Sequence, residues 1–220
     1  VRDRELTPVE GTGGNPDLGD MGMARLSPLL VTVALSMAVG CGGWEKYENA
    51  EWRFRCEFGD QPTVTESAAA MGDWGDSMSA SAATPESLFG HVSARRHGEF
   101  HADAGPGEMT PERWFDGMRS ADPGYLRFRL NDVASGGVKG FEALEVKMED
   151  AGASLPDESD LDAIYALGKR HDMKRVRYYV DEPNRRVWVV SLLANQGEAE
   201  ALRGSSAEHF FEAFAILPEP

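Results

Sequence analysis

His97-Gly98-Glu99-Phe100-His101 sets two imidazoles and one carboxylate at alternate positions. On a strand all three would point to one side, and two histidines with a glutamate suit an open zinc site. The spacing is not the helical His-Glu-x-x-His pattern, because Glu99 follows the first histidine by two residues. The same residues also suit a solvated polar face beside Gly105-Pro106-Gly107, and no further ligand is located by spacing. The expectation is no metal and no cofactor, with His97, Glu99 and His101 as the weak candidate ligands. The acids at Asp157–Asp162 lack the glycine on which a calcium loop turns. Two cysteines, Cys41 and Cys56, permit one disulfide but no stapled framework and no zinc quartet.

Gly75-Asp76-Ser77-Met78 resembles the nucleophile block of GDSL-type esterases. That chemistry needs an apolar strand before the serine and a distal Asp-x-x-His. Here "AAAMGDW" precedes Ser77, and the distal match is Ser206-x-x-His209 on an expected closing helix. The pattern fails at both points, so no catalytic residue is assigned and the chain is not expected to be an enzyme.

These residues must be held by the elements around them. Trp52, Phe54, Cys56 and Phe58 alternate with Arg53, Arg55 and Glu57, which reads as a half-buried strand over 51–58. Cys56 then faces inward among aromatics as a small hydrophobe. A short strand is expected over 63–66, and an irregular loop over 67–86, where the residues are small and polar. Strand resumes over 88–96 and again over 99–102. Thr110-Pro111 starts a helix that turns Trp114, Phe115 and Met118 inward and ends before Asp122-Pro123-Gly124. Strands follow over 125–130 and 141–148, with a turn at 134–137. A short helix over 161–169 would be capped by Asp157 or Ser159. Residues 174–180 and 186–193 form a hairpin around Asp181-Glu182-Pro183-Asn184. A last helix starts at Ser205, with Glu208 completing a capping box, and carries Ala207, Phe210, Phe211 and Phe214 on one stripe. The tryptophans read as core or loop anchors.

Residues 1–22 have no apolar periodicity and are expected to be a disordered or mis-assigned N-terminal extension, with Met21 or Met23 as the start. Arg25 then precedes a 19-residue uncharged stretch, Leu26–Trp44, long enough to reach across a bilayer. Its strongly apolar part is only Leu29–Val39, flanked by Pro28 and by Gly40, Gly42 and Gly43. That is the layout of a signal peptide over 23–40. Its end, Met37-Ala38-Val39-Gly40-Cys41, resembles the lipobox of bacterial lipoproteins, although Ala38 stands where leucine is usual. The resemblance implies cleavage between Gly40 and Cys41, a lipid on the Cys41 sulfur and acylation of its new amino group. Two or three acyl chains hold a protein on a membrane stably. Simple secretion and an uncleaved anchor are the alternatives. With Cys41 lipidated it cannot pair with Cys56, and residues 41–50 would be a tether to a domain over 51–217.

The net charge is −15, and residues 41–220 alone carry 19 basic and 32 acidic side chains. An acidic body excludes a nucleic-acid partner and electrostatic docking on anionic lipid. Phe54-x-Cys56-x-Phe58-Gly59-Asp60-x-Pro62, "GFEALEVKM", "RVRYYVDEPNRRVWVVSLLA" and "AEHFFEAFAIL" resemble segments of bacterial PsbP-like lipoproteins over about residues 44–217. The resemblance implies an α+β fold, a single αβα sandwich around a central antiparallel sheet, and a structural or assembly role without a shared catalytic signature. The expected protein is thus a lipid-anchored cell-envelope module on the periplasmic or extracellular face. Its partners would be the membrane, through Cys41, and an envelope protein or small-molecule ligand. The alternative is a secreted or envelope metal-dependent hydrolase using His97, Glu99 and His101.

Overall fold

The structure, a computed structural model, describes residues 43–67, 74–86, 88–97, 110–121, 124–148 and 156–219. The expected N-terminal extension, the signal peptide, Gly40, Cys41, Glu99 and His101 lie outside the described residues. The chain is α+β. Its strands are β1 (Glu45–Asn49), β2 (Phe54–Phe58), β3 (Thr63–Ser67), β4 (Trp74–Ala83) and β5 (Phe89–His97), then β6 (Tyr125–Ser135), β7 (Val138–Lys147), β8 (Met173–Asp181), β9 (Arg186–Ala194) and β10 (Ala215–Ile216). Helix α1 is Pro111–Ala121, α2 is Leu161–Leu167 and α3 is Ser205–Ala213, with a 3-10 turn at Ala199–Arg203.

The strands form two antiparallel sheets rather than the single sheet expected. One has the order β1-β2-β10 and the other β3-β4-β5-β9-β8-β7-β6. β1 falls inside the segment expected to be a tether. Glu45 pairs with Phe58 and Asn49 with Phe54, so the domain begins at least six residues before Glu51. Only Gly42, Gly43 and Trp44 separate Cys41 from the first strand. β4 is a second correction, since 67–86 was expected to be a loop. "SMSASA" alternates after all: Met78 and Ala80 are buried, while Ser77, Ser79 and Ser81 take the other face.

Alternation decides what each face of the larger sheet meets. Val92, Ala94, Leu144, Val146, Tyr179, Trp188, Val190 and Leu192 join Phe54, Cys56, Phe58, Phe210, Phe211 and Phe214 in one buried cluster. The small sheet and α3 therefore lie on this inner face. Each fully buried aromatic or leucine contributes about 1.5–3 kcal/mol. α3 presses close where the side chain is missing: a Cβ on Gly90 would sit 2.8 Å from the Phe210 ring. The outer face carries Phe141, Ala143, Val176 and Tyr178, and α1 covers them through Phe115, whose ring lies 5.2 Å from Phe141. β8 is consequently buried on both faces, not half-buried as its alternation suggests.

The ends of the helices hold smaller corrections. Thr110 caps α1 as expected, its hydroxyl accepting from Arg113 N–H at 3.3 Å. α2 is capped by Asp160, which accepts from Ala163 N–H at 3.0 Å, not by Asp157 or Ser159. Asp157 instead accepts from Ser159 in its own turn. The capping box of α3 does not form. Gly204 occupies the N-cap, and the Glu208 carboxylate accepts from Arg175 at 2.6 Å, a charged partner that outbids a backbone N–H. β6 also runs on to Ser135, so the turn narrows to Gly136-Gly137, both at positive φ.

Candidate functional site

The candidate zinc ligands fall at the end of β5. His97 closes that strand, paired with Trp74, and Glu99 and His101 lie beyond the described residues. No group of three His, Cys, Asp or Glu that could hold a metal occurs among the described residues. Asp157, Asp160 and Asp162 are each committed elsewhere, to Ser159, to the α2 cap and to Arg203 at 2.9 Å.

Ser77 and His209 are not brought together. Met78 and Ala80 turn to the inner face with α3, so Ser77 turns to the outer one, and the sheet stands between them. His209 Nε2 instead meets Glu57 at 2.9 Å, and its ring lies 4.5 Å from Trp44. This junction joins α3 to β2 and to the residue just before β1. Cys56 is buried at 1% exposure, and that burial, with Glu57 beside it, pushes its thiol well above the usual range. It is a packing residue, as its strand position implies.

The ionisable groups with the deepest burial form three meshes. Glu142, on β7, receives Arg175 at 3.0 Å and Arg177, both from β8. Both guanidinium groups also lie over Phe211, at 5.1 and 4.8 Å. Arg175 donates to Leu202 O at 3.0 Å as well as to Glu208. Burial alone would lower the Arg175 pKa, but the Glu208 hydrogen bond and the charge of Glu142 more than offset it and raise it. On the outer face Glu145 accepts from Arg127 at 2.9 Å and from the Tyr178 hydroxyl at 2.7 Å. Burial, then the Glu145 charge, raises the Tyr178 phenol well above its ordinary value. At the far end of the sheet Arg53 was expected to face solvent and is buried, at a φ of 57°. It donates to Leu217 O at 3.0 and 3.1 Å and to Glu219 at 2.8 Å, and it lies 3.9 Å from Asp181. Arg96 and Arg186 are cross-strand partners there, and burial and then the charges of Arg96 and Arg53 lower the Arg186 pKa. Glu51 and Asp76 supply counter-charge to Arg96 at 3.5 and 3.9 Å.

Sequence reasoning missed these meshes, because alternate charged residues in a strand read as a solvated face. The only signal was their position: Arg175, Arg177 and Glu142 occur on strands next to each other in the sheet, opposite a phenylalanine-rich helix.

Two surfaces remain. A cleft of about 230 Å³ between α1 and β6 is lined by Arg119, Tyr125, Leu126, Arg127, Phe128, Pro156 and Glu158. It falls below the ~300 Å³ of a usual small-molecule site. The second is the outer face of β3, β4 and β5. Thr63, Ser81, His91 and Ser191 make one cross-strand row, and Thr65, Ser79 and Ser93 make the next. α1 contacts β6, β7 and β8, on the other half of the sheet. Thr63 and Thr65 are exposed, Ser79, Ser81, His91 and Ser191 are half-buried and Ser93 is buried, so the rows do not form one open face.

No helix among the described residues is long and apolar enough to cross a membrane. No family model matches the chain, and no curated protein matches it. Among solved structures it is similar to the solution structure of cyanobacterial PsbP (CyanoP) from Synechocystis sp. PCC 6803, with a TM-score of 0.45 and 10% identity, over 84% of this chain and 98% of that one.

Proposed function

We propose that the protein is a lipid-anchored envelope protein whose PsbP-like α+β domain acts as a non-catalytic binding or assembly module. The observation that carries the non-catalytic reading is how its buried charges are used. Glu142, Glu145 and Asp181 are each fixed by arginine, tyrosine or asparagine partners inside the fold. A general acid or base needs a pKa near the working pH and reach to a substrate, and these groups are turned toward their own scaffold. The PsbP-like assignment rests on the order of strands and the closing phenylalanine-rich helix, together with the segments at 54–62 and 175–194.

Anchoring rests on the lipobox-like run Met37–Cys41. β1 opens at Glu45, four positions after Cys41, so a lipid there would lie next to the first described strand. Labelled palmitate fed to cells should be incorporated into the full chain and lost in Cys41→Ser. Incorporation that survives the substitution would overturn the anchor.

A further inference from the structure

Resting on the anchored reading, we propose that the end of the domain carrying Trp44 and Phe89 sits on the bilayer that holds Cys41, with Phe89 entering the headgroup layer. Cys41 precedes the first residue of β1 by four positions, a reach of at most ~14 Å at ~3.3–3.6 Å per residue. The tether is therefore shorter than the strands it carries. From Phe89 to Arg96, β5 spans seven steps, or ~23 Å. Whichever end of the sheet holds the start of β1 must be the end held near the lipid.

Pairing identifies that end. Glu45 lies opposite Phe58, so the start of β1, which Trp44 precedes, is at the end of β2 that Gly59 follows. Gly59 N–H donates to Ala83 O at 3.0 Å, and Ala83 is the cross-strand partner of Phe89. Phe89 in turn pairs with Leu193, next to the turn at Asn195–Gly197. Phe89 is a large apolar residue left 46% exposed, and Trp44 is half-buried against the core. The two thus mark one end of the described domain, an arrangement that suits the interfacial preference of aromatic rings. Exposed Asp60, Glu86, Asp172 and Glu198 against Lys169 and Arg170 leave this end net acidic, which suits a zwitterionic headgroup layer and not an anionic one. The hairpin turn at Asn184 lies at the opposite end, beyond the Arg96–Arg186 pair.

Spin labels test this. Cys41 is acylated under the anchored reading and Cys56 is buried, so a new surface cysteine is the reactive thiol. Full-length Phe89→Cys and Asn184→Cys, made in cells and extracted with their lipid, would be reconstituted in phosphatidylcholine vesicles. Gln196→Cys supplies a second exposed site at the Phe89 end in case Phe89→Cys folds poorly. A nitroxide at 89 should show collision with a polar relaxer reduced about fivefold against 184, and collision with oxygen retained, as for a side chain ~5 Å into the interface. Protein that floats with vesicles while 89 and 184 are equally open to the polar relaxer overturns the docking alone. Exclusion of both relaxers at 89 overturns it in favour of a protein occupant. Protein that does not float overturns the anchor and the docking together.

Discussion

Replacing Glu142 with glutamine changes one oxygen to an amide and leaves the shape of the side chain intact. In the folded chain this carboxylate is only 2% exposed and lies between two guanidinium groups. At ~3 Å and an effective dielectric constant near 20, each ion pair is worth ~5 kcal/mol before desolvation. Arg175 keeps Glu208 and Leu202 O after the change, whereas Arg177 keeps the Phe211 carbonyl at 3.3 Å, the Phe211 ring and Tyr179 but no carboxylate. The loss is therefore close to that of breaking one buried pair, about 3–5 kcal/mol. For a domain of this size that corresponds to a Tm lower by ~6–20 °C. Urea unfolding followed by far-ultraviolet circular dichroism measures it. A double cycle with Arg177→Met should return a coupling above ~1 kcal/mol, because removing both charges leaves no orphan. A Glu142→Gln loss below ~1 kcal/mol would refute the reading of Glu142 as a buried charge that holds both guanidinium groups.

Two further predictions concern other parts of the fold. Burial, then the charges of Lys174 and Arg95, lowers the His91 pKa below 6.5, so the native state binds fewer protons than the unfolded state between the two values. Stability should thus fall as pH drops below about 6.5, and His91→Gln should flatten that part of the profile; urea midpoints that fall equally in both proteins would contradict it. A Cβ on Gly140 would come within 2.0 Å of Tyr178 O, whereas one on Gly117 meets nothing within 4 Å. Gly140→Ala should cost about 3 kcal/mol, and Gly117→Ala should add ~0.5–1 kcal/mol; similar melting points for the two variants would contradict the register of β7 against β8.

What the sequence makes legible follows side-chain size. Large apolar residues at alternate positions mark β2, β8 and β9, and the spacing of Phe210, Phe211 and Phe214 marks α3. Thr110-Pro111 marks the start of α1 because both residues suit a first turn. β4 escapes the same reading because its buried residues include Ala80 and Ala82, which differ little in size from the serines between them. β1 and β10 escape it because they are short and polar or terminal, and gain their pairing only when β2 is in place. Charge placement is the least legible part. Arg53 and Arg175 occupy positions that local alternation gives to solvent, while Glu142 shares the face of Leu144 and Val146, and only the three-dimensional neighbours turn them into ion pairs. For the candidate site, the pattern at 97–101 names ligand types without fixing a geometry, and the esterase-like serine is separated from its histidine by the sheet itself.

The most direct test of the account is the intact mass of the full-length protein extracted from bacterial membranes. The account predicts a chain that begins at Cys41, heavier than the peptide by a diacylglycerol and an amino-terminal acyl group. A membrane-derived chain that keeps residues upstream of Cys41, or that begins at Cys41 with no added lipid, would contradict it.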